Sequence, residues 1–244
     1  MSENNNLKLA VVTGAAHRMG RHFALSLAQQ GYAIVLHYFS SEIQARETFA
    51  EIQAFGTPVY PYKADLRIPD EINNMWEYID TLKHEVQVLI NSAAIMNKGD
   101  IRSLTTQEFD ESISINLRAP LLCAQEASKR MSKGGLIINI SDVGANMNWV
   151  GFPAYSISKA GLETLTRILA KALAPDIRVN AIAPGLVIPS VEFDSVEWEK
   201  LINKIPLKRP ASPKEITSLM EYLINNTYIT GQVIDVDGGY SLRY

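Results

Sequence analysis

Short apolar runs alternate along this chain with longer stretches in which apolar residues recur every three or four positions. Residues 7–13, 33–38, 59–63, 86–90, 136–140, 177–182 and 232–237 read as buried strands, rich in Val and Ile and bounded by turn residues. Helix-period spacing runs over 21–30, over a segment that closes at Phe55 and Gly56, and over 69–84, 105–131, 154–173 and 213–225. A loop carrying Phe193 and Trp198 is expected between the last two helices. Strand and helix alternating in this way predict an α/β fold, a doubly wound parallel sheet covered by helices on both faces. With no repeat, low-complexity segment or linker, residues 1–244 read as one domain, with 1–6 a loose N-terminal tail.

In such a sheet, ligands bind beyond the carboxyl ends of the strands, and the polar clusters of this chain fall there. The first strand runs into Gly14-Ala-Ala-His-Arg-Met-Gly20, a glycine-bounded turn that opens a helix. That arrangement points helix N-terminal N–H groups, here near Arg18, Met19 and Gly20, at an anion such as a dinucleotide phosphate. The second strand ends in His37-Tyr38 without a carboxylate that would hold a ribose hydroxyl and repel a 2′-phosphate. With Ser40, Ser41 and the cation Arg18 nearby, the pattern favours NADP over NAD. Glu42 reads as a first-turn charge complementing its helix dipole. Asp65-Leu66, Asn91-Ser-Ala-Ala94 and Pro184-Gly185 end later strands, and Asn116 interrupts an apolar stretch as either a structural bond-former or a catalytic group.

After the strand 136–140, a polar loop leads into a helix carrying Tyr155 and Lys159, four residues apart and so on one face. A tyrosine with a pKa near 10 is a poor proton donor or acceptor at neutral pH. An ammonium at ~4 Å in an effective dielectric of ~20 is worth about 4 kcal/mol, or about three pKa units, which would bring Tyr155 to about 7.

Composition narrows the classes. A net charge of −3 with mixed signs gives no pull toward nucleic acid or anionic membranes. One cysteine, Cys123, excludes an internal disulfide and sits among apolar neighbours as a buried thiol. The first residues lack signal-peptide character and no apolar run approaches a membrane span, so a soluble, cytoplasmic protein is expected. His17, His22, His37 and His84 show no metal-ligand spacing.

Thr13-Gly14 with Gly20, Asp65, Asn91 with Ala93, Asn116, Tyr155 with Lys159, Pro184-Gly185 and Asp237-Gly238-Gly239 occur in an order and spacing that resemble the short-chain dehydrogenases/reductases over essentially the whole chain. The resemblance implies a seven-stranded Rossmann-type sheet, a nicotinamide cofactor, Tyr155 exchanging the proton, Lys159 on the ribose, Asn116 supporting a water-linked proton path, and a homotetramer. Two positions depart from that pattern: Arg18 stands where a glycine is usual, and Asp142 replaces the usual serine thirteen residues before the tyrosine. Both are similar to the pteridine reductases and the related dihydromonapterin/dihydrofolate reductases, as are His37-Tyr38 and Asp237-Gly-Gly-Tyr-Ser-Leu242. Arg18 would then lie near the cofactor phosphates and the substrate, while Asp142 and Tyr155 feed a proton to the pterin.

An ionised Asp142 also opposes Lys159 by a similar amount, so that Tyr155 stays protonated and acts as a donor. If Asp142 instead caps a loop or helix, Ser141 takes the serine's place. Met96 stands where a pteridine reductase has an aromatic residue, and Ala94 where it has a serine. Trp149, Phe152, Phe193 or Trp198 is then left to stack on the substrate ring. The reading that follows is an NADPH-dependent reductase of a dihydropterin or dihydrofolate, with a ketone reductase or a silent NADPH-binding scaffold as alternatives.

Overall fold

The computed structural model describes residues 7–190 and 193–242, so the expected tail, 1–6, lies outside the described residues. Seven parallel strands, β1 (Lys8–Thr13), β2 (Ala33–Tyr38), β3 (Val59–Lys63), β4 (Glu85–Asn91), β5 (Met131–Ile140), β6 (Ile177–Pro184) and β7 (Val233–Val236), form one sheet in the order β3-β2-β1-β4-β5-β6-β7. The order reverses at β1, which pairs with both β2 and β4, and a crevice opens beyond the strand ends where connections diverge.

Alternation of side chains along each strand divides the core in two. Leu9, Val11, Leu89, Ile137 and Val179 face one way, under α3 (Pro69–Thr81), α5 (Ala119–Ser128) and α7 (Pro153–Ala172). Ala10, Val12, Ile34, Ile90 and Ile138 face the other, under α1 (Arg18–Gln29), α2 (Glu42–Ala54) and α9 (Pro213–Asn225). Both faces are buried, which is why these strands read as continuous apolar runs. Glu42 opens α2 as expected. Cys123 is fully buried, and burial pushes its thiol up to about 12.

Three expectations are corrected. The single helix expected over 105–131 is two, α4 (Thr106–Ile113) and α5, joined by a wide π turn over Ser114–Arg118, and residues from Met131 onward already belong to β5. Pro120 lies at the start of α5 and has no N–H to donate, so the ladder is interrupted there and a widened turn absorbs the break. Trp198 lies not in a loop but on α8 (Ser195–Ile202), which Asp194 and Glu197 open with a reciprocal capping box. A further short helix, α6 (Gly144–Met147), occupies the polar loop between β5 and α7.

Candidate active site

A cavity of about 720 Å³ lies along the carboxyl ends of the strands. It is lined by every residue expected to hold a cofactor except Asn91, and by the expected substrate residues Arg18, Met96, Asp142 and Tyr155. Asn91 lies beneath it: its amide donates to Asn139 Oδ1 at 2.9 Å, and Asn139 donates in turn to Thr166. Asn116 also lies behind the wall, fully buried in the π turn. Its Oδ1 accepts the Ile95 N–H at 3.0 Å and its Nδ2 donates to Ile95 O at 2.9 Å and Ser158 Oγ at 3.0 Å, so it fixes the loop that carries Met96.

At one end, the turn after β1 is built for close approach. Gly14 has φ +66°, and a Cβ there would stand 2.8 Å from the Ala93 Cα. Thr13 Oγ1 accepts the N–H groups of Ser92 and Ala93 at 3.0 and 3.1 Å, fastening the ends of β1 and β4 together. His37 is fully buried and burial lowers it to about 4, so it is neutral: Nδ1 accepts the Gly14 N–H at 3.1 Å, which leaves Nε2 to donate to Ala64 O at 3.0 Å. His37 therefore braces the turn from behind. Among the described residues no side chain caps α1, and no acidic residue occupies its first turn, so its N-terminal N–H groups are available to an anion. These features fit a dinucleotide.

Arg18, at φ +51°, occupies a conformation that favours glycine, and its guanidinium donates to the carbonyls of Pro189 and Ile188 at 2.8 and 2.9 Å. The cation beside the end of β2 is instead Arg67, a residue the sequence reading passed over although it follows Asp65-Leu66 directly. Arg67 binds both oxygens of Asp65, holding that carboxyl below its usual range, and lies over the Phe39 ring at 5.3 Å. Ser40 and Ser41 share this end of the cavity.

At the other end, Tyr155 donates its hydroxyl to Asp142 Oδ2 at 2.9 Å, while Asp142 Oδ1 accepts the Gly144 N–H at 2.7 Å. The carboxylate thus does both jobs left open by the sequence, capping the turn and meeting the phenol. A side chain at 144 would place its Cβ 2.8 Å from Trp149 and 3.0 Å from Asp142, so only glycine fits between them. Ser141 is turned aside, its hydroxyl donating to Glu163 at 3.1 Å. Lys159 is buried and donates to Ile140 O at 2.7 Å, its Nζ 5.7 Å from the Tyr155 ring centre.

The electrostatics correct the first expectation for Tyr155. Burial and then the Asp142 charge hold the phenol well above 10, and the cation that opposes them is Arg18, not Lys159. Burial lowers Lys159 to about 8 against the attraction of Asp142. Burial also raises Asp142 to about 6, despite the Gly144 and Tyr155 hydrogen bonds and Lys159, with Glu163 adding to the rise. Around this centre Met96, Trp149, Phe193 and Trp198 line the cavity, whereas Phe152 sits outside it, its ring 6.1 Å from that of Trp149 and 5.9 Å from that of Phe193.

A doubly wound sheet with a cleft of this kind at its carboxyl edge is a dinucleotide-binding architecture. Residues 14–241 match a family model described as enoyl-(acyl carrier protein) reductase. The 3-oxoacyl-[acyl-carrier-protein] reductase FabG of Staphylococcus epidermidis is 33% identical over 240 residues, covering 95% of this chain and 98% of the relative. Among solved structures, FolM alternative dihydrofolate reductase 1 from Brucella suis, in complex with NADP, superposes with a TM-score of 0.92 at 30% identity, covering 97% of this chain and 96% of that one. The angucycline C-6 ketoreductase LanV with bound NADP gives a TM-score of 0.92 at 29% identity, with 98% of each chain covered. The chain belongs to the short-chain dehydrogenase/reductase family of NAD(P)-dependent oxidoreductases.

Proposed function

We propose that the protein is an NADPH-dependent reductase of a dihydropterin- or dihydrofolate-type C=N bond, with the proton delivered through Tyr155 and Asp142. The observation that carries this reading is the 2.9 Å hydrogen bond from the phenol to a partly buried carboxylate. A phenol raised above its usual range rests in its protonated form at neutral pH, so it stands as a donor and not as a base, which suits one-way reduction of a nitrogen that must be protonated. Bound NADPH supplies the hydride to the ring carbon. The N–H groups of Arg18, Met19 and Gly20, at the start of α1, would hold its pyrophosphate. Ser40, Ser41 and Arg67 lie at the end suited to a 2′-phosphate, and the free N–H groups of Lys159 serve a ribose hydroxyl. Tyr155 then passes its proton to the substrate nitrogen, Asp142 restores it, and water restores Asp142.

The NADP complex of FolM supports the cofactor and the pterin-like substrate class. A second reading, reduction of a ketone, is favoured by the names of the 33% identical relative and of LanV, and by Met96, a softer and less specific wall for a flat ring than an aromatic residue. A homotetramer accompanies either reading, and Ile157 and Ile168, half exposed on the outer face of α7, support it. NADPH consumption measured with dihydrobiopterin, dihydromonapterin, dihydrofolate and simple ketones separates the two; turnover of ketones alone would sink the first. Asp142→Ala is expected to abolish pterin reduction while NADPH still binds, and retained turnover would remove the relay.

A further inference from the structure

Glu163 stands one helical turn beyond Lys159 and is 3% exposed. Residues four apart share a helix face, so Tyr155, Lys159 and Glu163 form one row along α7, and the reaction above uses only the first two. The third is bonded to the chain on either side of Asp142. Ser141, the preceding residue, donates its hydroxyl to Glu163 Oε1 at 3.1 Å, and Asn146 directs its amide at both oxygens at 3.4 Å.

A buried carboxylate is costly unless paired, and here the pairing is partial. Arg167, on the same helix, is more than half exposed and reaches Oε2 at 3.8 Å. From β7, Asp235 adds a negative charge, with Asp237 acting on Asp235 in turn. The groups facing Asp142 are Tyr155, Lys159 and Glu163 from α7, with Arg18 acting on Tyr155 from the turn after β1. Burial raises the Glu163 carboxyl as well, so two carboxyls with restricted access to water stand in one polar cluster. Like charges so placed resist ionising together.

We propose that Glu163 is a positioning residue for proton delivery that acts through Asp142, its carboxylate clamping the 141–146 turn and its negative charge favouring the protonated form of Asp142. The inference rests on the reading that Asp142 and Tyr155 supply the proton, but its first readout needs no substrate. The Asp142 side-chain carboxyl carbon is followed by NMR against pH in the full chain, alone and then with NADPH. Glu163→Gln keeps the size and removes the charge; the Asp142 midpoint is expected to fall by about one pH unit, a tenfold change in the protonated fraction. The alkaline limb of kcat moves by the same amount, while the KM for NADPH is unchanged. Arg167→Ala, on the exposed side of α7, removes the charge that partly offsets Glu163 and moves the midpoint upward. It also tests the inference should Glu163→Gln fail to fold. Glu163→Asp restores part of the change.

An Asp142 midpoint that stays put in every folded variant overturns the inference, whatever the enzyme reduces. So does a Glu163→Gln protein that loses turnover with its midpoint unmoved, since that is the behaviour of a packing residue. A midpoint that moves as expected in a protein inactive on pterins upholds the coupling of the two carboxyls and removes the pterin reading alone.

Discussion

A phenol carries one hydrogen, and an ionised Asp142 holds that of Tyr155 away from the substrate. Once Asp142 takes up a proton, its carboxyl becomes the donor and the phenol hydrogen is free to turn into the cavity. Asp142 titrates at about 6, so the donor-ready population is full below that pH and falls about tenfold for each pH unit above it. The expected pH–rate profile, taken at saturating NADPH and substrate, declines through about 6 with rising pH; a flat profile across that midpoint takes Asp142 out of the reaction. Spacing revealed Tyr155 and Lys159 as a pair, and the family resemblance added Asp142. Neither revealed their proton affinities, because burial is the largest cause at all three and no spacing reports it. The direction of Arg18 was likewise hidden, since its two carbonyl partners lie 170 and 171 residues further along the chain.

The turn at Arg18 and the segment 186–190 are joined across the cavity by those two hydrogen bonds, at the cost of a left-handed residue at φ +51°. Arg18→Gly removes the bonds while suiting the backbone, so amides in 186–190 are expected to exchange hydrogen faster with the 14–20 turn unchanged. Exchange unaltered in 186–190 would show that other contacts hold this segment. Element types were largely legible, because β-branched runs and a 3.6-residue period are strong signals. The errors came where the period misled or a cap was overlooked. The apolar pattern runs through Pro120 without a pause, although the helix does not, and Asp194 with Glu197 signalled a helix that the surrounding loop residues obscured.

For the molecule as a whole, the cleft gathers the ends of six strands, from β1 to β6, so a dinucleotide lying along it ties distant parts of the chain together. Ligand at ~100 times its Kd adds about 2.7 kcal/mol of stability, roughly 5–10 °C in Tm for a chain of this size. NADPH is expected to produce this rise and NADH, at the same concentration, a smaller one; equal shifts in a thermal melt would remove the role given to Ser40, Ser41 and Arg67. The parallel sheet and the position of the cleft were legible because strand and helix alternate and polar clusters end the strands. Subunit number was not, since an exposed isoleucine reads alike in a monomer and at a contact.

One hydroxyl, that of Thr13, holds the backbone of Ser92 and Ala93 and so locks two neighbouring strand ends into a fixed floor. The wall at Ile188 is held, through the carbonyls of Ile188 and Pro189, by the long arm of an arginine. Whatever latitude this enzyme has toward substrates of different bulk must therefore come from that wall, and selection for a new substrate would act there first.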